Sequence, residues 1–132
     1  MAHQPVCIEP IIQKDVSDCA IACLAMVLGV PYVLASTIAQ EVTKKPHKKG
    51  LGTRQMMSIA RKLGRSMACV KAADVDLDED TGILFVGFTP SGNEHATVLF
   101  QGVLVNPADG LLYDPATYLN TNKGRVLGML KP

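Results

Sequence analysis

Tryptophan is absent from this sequence, and aromatic residues make up only 5% of it. A core without large rings must be assembled from Leu, Val, Ile, Ala and Met. An excess of one charge is missing too: 13 basic residues face 12 acidic ones, for a net charge of +1. That balance argues against nucleic-acid or membrane-surface binding. The one basic cluster, Lys44-Lys45-Pro46-His47-Lys48-Lys49, has no interleaved aromatic residue on which a base could stack, and it reads as a solvated loop. No apolar run reaches the roughly 20 residues needed to span a bilayer, the longest being Cys19 to Val30. A secretory signal pattern is also lacking, since Met1 to Gln13 is polar and contains proline. The cysteines are Cys7, Cys19, Cys23 and Cys69; none form a C-x-x-C pair, and the histidines are not spaced as zinc partners. The expectation is a cytoplasmic protein with reduced thiols, no cofactor, no metal and no membrane insertion.

What is present suits one domain covering residues 1–132. Hydrophobic residues make up 48% and charged residues 19%, enough to bury a core and too apolar for a disordered chain. The first half reads as helices. A first helix is predicted from about Asp18 to Leu28, ending before Gly29; it is apolar on all sides and should lie in the middle of the domain. Pro31 suits the first turn of a second helix, Tyr32 to about Val42. Thr53 is a candidate cap for a third, Arg54 to Leu63, with Met56, Met57, Ile59, Ala60 and Leu63 on its inner stripe and Gly64 closing it.

The second half reads as strands over Ser66–Lys71, Ile83–Thr89, Glu94–Gln101, Gly102–Asn106, Leu111–Tyr113 and Arg125–Leu130. Asp74 to Thr81 is acidic and loop-like, and Pro90–Asn93 and Pro107–Gly110 are turns. Helices followed by an antiparallel sheet make an α+β domain.

One constellation carries chemistry. In Gln13-Lys-Asp-Val-Ser-Asp-Cys19-Ala-Ile-Ala-Cys23 a polar stretch stops at a cysteine that opens the apolar helix. Free N–H groups and the positive end of the helix dipole favour a thiolate there. The acidic Asp18 and Asp15 nearby oppose it, unless Asp18 faces away and serves the helix start. Cys23, one turn on, reads as a small core residue.

A thiol nucleophile needs a base, and His95, at the start of the strand His95-Ala-Thr-Val-Leu-Phe100, is the candidate. Gln101-Gly102 reads as a two-residue hairpin turn, which pairs Phe100 with Val103, Val98 with Val105 and Thr97 with Asn106. Asn106 then shares a face with His95 as a diagonal neighbour about 7 Å away, close enough to orient the imidazole. Asp114, in Tyr113-Asp114-Pro115, is the alternative third member. Gln13, six residues before the cysteine, can supply a side-chain amide to an oxyanion beside the Cys19 N–H.

These residues resemble a known family. The run Gln13-x4-Asp18-Cys19-x2-Ala22-Cys23-Leu24-Ala25-Met26-Val27-Leu28 is similar to the cysteine motif of the C39 peptidases, papain-like proteases that process bacteriocin precursors. The likeness continues through Gly50–Gly64, His95–Leu99 and Val105–Gly110. By that resemblance the fold is papain-like, Cys19 is the nucleophile, His95 the base, Gln13 the oxyanion donor and Asn106 the third member. The family usually forms the N-terminal domain of an exporter and cuts leader peptides after a double glycine. Here Ala20 follows the cysteine where glycine is common, Asn106 replaces the usual aspartate, and no transporter sequence follows, which implies a stand-alone domain.

Two functional readings result. The first is a cysteine peptidase or thiol hydrolase cleaving a peptide or protein substrate, with acyl transfer to an amine left open. The second is a catalytically silent papain-like module that binds a peptide or a separate partner protein through the groove between the helical and sheet halves.

Overall fold

A computed structural model describes residues 19–43 and 51–132. Gln13, Asp18, Cys7 and the 44–49 basic cluster lie outside the described residues, and so do the expectations placed on them. Helix α1 runs Cys19–Leu28 and is buried from Ala20 to Met26 and again at Leu28. Alanine, leucine and methionine favour helix, and the absence of any charge lets every side of it enter the core. Gly29, at φ +67°, ends it, and the Val30 N–H returns to the Ala25 carbonyl at 3.1 Å. That six-to-one closure needs a left-handed residue, which glycine supplies without a Cβ clash.

Helix α2, Tyr32–Thr43, buries only Ala35 and Ala39, one helical turn apart. Two methyl groups on one stripe permit close packing, and α2 packs on α1 and α3. Pro31 stands just outside this helix, where its carbonyl takes the first helical bond, from Ala35 N–H at 3.1 Å.

Helix α3 spans Thr53–Lys62 and buries Met56, Ile59 and Ala60, while Met57 and Leu63 are half-buried. The cap expected at Thr53 falls one residue earlier. Gly52 occupies the N-cap, and its N–H donates to Gln55 Oε1 at 2.9 Å. A glycine cap has no side chain to bond the helix, so the glutamine three residues later provides the local closure.

The strands are β1 (Ala68–Lys71), β2 (Thr81–Phe88), β3 (Glu94–Phe100), β4 (Val103–Asn106), β5 (Leu111–Tyr113) and β6 (Gly124–Lys131). They form one sheet in the order β1-β6-β2-β3-β4-β5, with every neighbouring pair antiparallel. Gln101 and Gly102 both have positive φ, +44° and +88°, the backbone of a type I′ turn. Phe100 accordingly faces Val103, and Val98 faces Val105. Between β2 and β6 the register slips: Phe85 pairs with Gly128 and Val86 with Val126, so Leu127 is the extra residue of a bulge.

Each face of the sheet has its own core. On one, Ile83, Phe85, Ala96, Val98, Val105 and Leu130 pack against the three helices, with Ile21 and Leu24 of α1 fully buried. On the other, Leu84, Val86, Leu99, Leu104 and Met129 pack with Tyr118. Tyr118 belongs to α4, Pro115–Thr121, an element the sequence reading did not assign. Its start is encoded locally: Asp114 caps it and Pro115 occupies the first turn, where no backbone donor is needed. The acidic stretch also gains local order, since a short 3-10 turn covers Ala72–Asp74 and the Asp76 Oδ1 accepts from the Asp78 N–H at 3.0 Å. Among the described residues, no helix is long and apolar enough to cross a membrane.

Candidate active site

The fold brings Cys19, His95 and Asn106 together. Cys19 is the first residue of α1 and is half-buried. His95 is the second residue of β3, paired with Val86 of β2. Asn106 ends β4 and is 9% exposed. His95 Nε2 lies 2.8 Å from Asn106 Oδ1. The Ala108 N–H donates to that same oxygen at 3.0 Å. A backbone N–H can only donate, so Oδ1 is the acceptor and Nε2 carries the proton. This tautomer leaves Nδ1 for the bond to Cys19.

Electrostatics at the pair run in opposite directions. Burial pushes the Cys19 thiol up, but bonds from His95 and from the Ala96 N–H, and the charge of His95, outweigh it; the thiol sits below its ordinary range. Burial pushes His95 down, but its bonds to Cys19 and Asn106 and the charges of Cys19 and Asp109 outweigh that, so the imidazole sits above its ordinary value. Both directions favour a thiolate–imidazolium pair. Cys23 behaves differently. It is fully buried, and burial together with the neighbouring Cys19 holds its thiol well above the usual range, as suits a core residue.

The other sequence candidates are placed as follows. Asp114 is engaged elsewhere, its Oδ2 accepting from the Thr117 N–H at 3.0 Å and the Thr117 hydroxyl at 2.9 Å as the cap of α4. Gln13 lies outside the described residues. Among those described, no cluster of three or more His, Cys, Asp or Glu is arranged to hold a metal ion.

Three contributors were not anticipated. The Phe88 ring lies 6.4 Å from the His95 ring and 6.4 Å from Tyr118, which lies 5.2 Å from Tyr113. This aromatic chain backs the imidazole. The Ala96 N–H faces the sulfur. Asp109 lies in the turn after Asn106, whose carbonyl accepts from the Asp109 N–H at 3.3 Å and the Gly110 N–H at 2.7 Å. Its carboxylate accepts from the Leu111 N–H at 2.9 Å and from the Tyr113 hydroxyl. With a neutral asparagine beside the imidazole, Asp109 is, among the described residues, a carboxylate whose charge helps raise the His95 imidazole.

A pH prediction arises here. Asp109→Asn removes an influence that raises the His95 pKa. The imidazolium should then lose its proton at lower pH, and the alkaline limb of any Cys19-dependent reaction should move to lower pH. Asp114→Ala, at the helix cap, should leave that limb in place. A pH–rate profile of both variants checks this, and an unmoved limb in Asp109→Asn would remove Asp109 from the site.

A cavity of about 450 Å³ opens onto the sulfur, lined by Cys19, Ala20, Leu51, Phe85, Glu94 and His95 among others.

Comparison with known proteins converges on one family. A crystal structure titled as a double glycine motif protease from the AMS/PCAT transporter, in complex with the leader peptide, matches at a TM-score of 0.61 and 17% identity over 100% of this chain and 96% of that one. The peptidase domain of Streptococcus ComA, described as a bi-functional ABC transporter involved in a quorum-sensing pathway, matches at 0.64 and 18% identity over 96% of this chain and 99% of that one. No curated protein sequence matches the chain. The α+β, papain-like architecture expected from sequence is therefore the fold that those peptidase domains share. The Peptidase C39 family profile matches residues 8–118, most of the sequence. This chain belongs to the Peptidase C39 family.

Proposed function

We propose that the chain is an active cysteine peptidase in which Cys19 attacks the peptide carbonyl and His95 handles the proton. The observation that carries this reading is the continuous contact from the Cys19 thiol through His95 to Asn106 Oδ1, 2.8 Å from Nε2. In the resting pair the thiolate is the nucleophile and the imidazolium is the acid. Attack forms a C–S bond and a tetrahedral oxyanion. The Cys19 N–H and the Gln13 amide are the proposed donors to that oxyanion. Collapse breaks the C–N bond, and His95 gives its Nδ1 proton to the leaving amine. A thioester remains on Cys19. Water then attacks it with neutral His95 taking its proton, and C–S cleavage releases the carboxylic acid and restores the thiolate beside the imidazolium. Asn106, held by the Ala108 N–H, keeps the ring in the working tautomer throughout.

The substrate proposed is a peptide or protein segment with small residues, such as Gly-Gly, at the scissile bond. Support comes from the double glycine motif and bound leader peptide named for one structural relative, and from small residues, Ala20 and Gly92, lining the cavity that Cys19 also lines. The work is proposed to take place in the cytoplasm.

The test is cleavage of a peptide set built around Gly-Gly, followed by mass spectrometry of products and of the acid-quenched enzyme. The expected result is cleavage with a transient acyl adduct at Cys19, abolished in Cys19→Ala and reduced about 10- to 100-fold in Asn106→Ala. Binding of these peptides with no cleavage and no adduct would favour the silent module instead.

A further inference from the structure

We propose that Glu94 determines specificity in the Cys19 groove, selecting a peptide with a lysine or arginine within about three residues of the scissile bond. The proposal rests on the peptidase reading and names the substrate class of that site.

The groove is longer than the cavity at the sulfur. A second cavity, of about 340 Å³, lies beside it and is lined by Leu51, Phe85, Glu94, Cys69, Leu127 and Met129 among others. Both cavities are lined by Leu51, Phe85 and Glu94, so they adjoin, and together they extend from Cys19 toward β1 and β6; this stretch is the proposed channel. The bulge in β6 supplies Leu127 to the far part. Apolar side chains and glycines make most of the lining, and among the described residues Glu94 is the carboxylate in it.

Its setting leaves that charge open. Glu94 is exposed and begins β3, directly before His95. Its partner across the sheet is Gly87, which has no side chain to cover it. Among the described residues the ion pair formed is Lys131 with Asp80, at 2.9 Å, and Glu94 takes no part in it. A peptide lying along the channel displaces water from around this carboxylate. A substrate cation there gains a partner, while a substrate anion meets a like charge at short range, so attraction and repulsion act together on selectivity. An extended peptide advances about 3.3 Å per residue. Glu94 lines the cavity that also holds Cys19 and His95, so its reach covers the residues next to the cut.

The experiment uses the full chain and a peptide set centred on Gly-Gly, with Lys, Gln or Glu placed in turn at each of three positions on either side. Cleavage is read as kcat/KM on the wild type, and binding is read by fluorescence polarisation on Cys19→Ala, which needs no turnover. The expected result is that Lys exceeds Glu by about tenfold at one position, less at high salt. That preference should vanish in Glu94→Gln and reverse in Glu94→Lys. A flat charge profile at every position, in cleavage or in binding, overturns the role of Glu94 and leaves the peptidase reading standing. A preference that persists in Glu94→Gln also overturns it. Absence of cleavage and binding across the whole set, together with an ordinary thiol titration of Cys19, removes the peptidase reading and this proposal with it.

Discussion

His95→Ala is expected to reduce peptide cleavage by about 10³-fold or more, and to move the pH midpoint of Cys19 alkylation upward past the ordinary thiol range. The sign follows from the causes acting on the thiol. Burial raises it, and the bond and charge from His95, with bonds from the Ala96 and Ala20 N–H groups, bring the net effect below its ordinary position. With the imidazole gone, burial remains and the Ala96 and Ala20 N–H groups alone oppose it. Cleavage suffers more than alkylation, because the imidazolium must also deliver a proton to the leaving amine. An alkylating agent needs no such proton, and a thiolate of higher pKa is intrinsically the better nucleophile. Iodoacetamide labelling must be resolved by site, since Cys69 is exposed and would label independently. Coincident Cys19 profiles for wild type and variant would end the assignment of His95 as its base.

The second large effect is on stability. Leu24→Ala is expected to cost about 3 kcal/mol and lower Tm by about 10 °C. Leu24 is fully buried in the middle of α1, which is packed between the other helices and strands β2 and β3. Little around it can collapse into the space left behind, because the helix has neighbours on every side. Val33→Ala on α2, where the side chain is 66% exposed, should stay within about 0.5 kcal/mol of wild type. Denaturant titration of both variants tests this. A cost for Leu24→Ala no larger than that for Val33→Ala would mean that α1 is not the centre of the core. Cys19, the proposed nucleophile, opens this helix, so local loosening of α1 should weaken Cys19 activation before global unfolding.

How much of this was legible in the sequence depends on whether the signal was local. The apolar run from Cys19 ended by Gly29, and the Gln101-Gly102 pair between two β-rich runs, are complete local instructions. From the second, the face shared by His95 and Asn106 follows by strand alternation alone, and the structure places them 2.8 Å apart. Helix α4 was missed although its start is written locally. Asp114-Pro115 is a cap followed by a first-turn proline, but a hairpin closing at Pro107–Gly110 would also make Asp114 a third-member candidate, and the sequence does not separate that role from a cap. The cap of α3 fell on Gly52 and not Thr53 because Gln55, three residues later, meets the Gly52 N–H. Phe88, Asp109 and the Ala96 N–H could not be read at all. Their positions around the thiol and imidazole depend on how β2, β3 and β4 lie side by side against α1, and no single segment encodes that. Glu94 and its channel belong to the same class, because the bulge at Leu127 appears only once β2 and β6 are paired.

The two-residue turn at Gln101-Gly102 acts as a gauge for the active centre. Because alternate residues of a strand point to opposite sides, one residue inserted there and absorbed by β4 would turn Asn106 away from His95 and swing a neighbour into its place. Cys19 and His95 would both survive, and the chain would still have strands to pair. Natural variants of this domain should therefore tolerate changes of residue type at that bend far better than changes of its length.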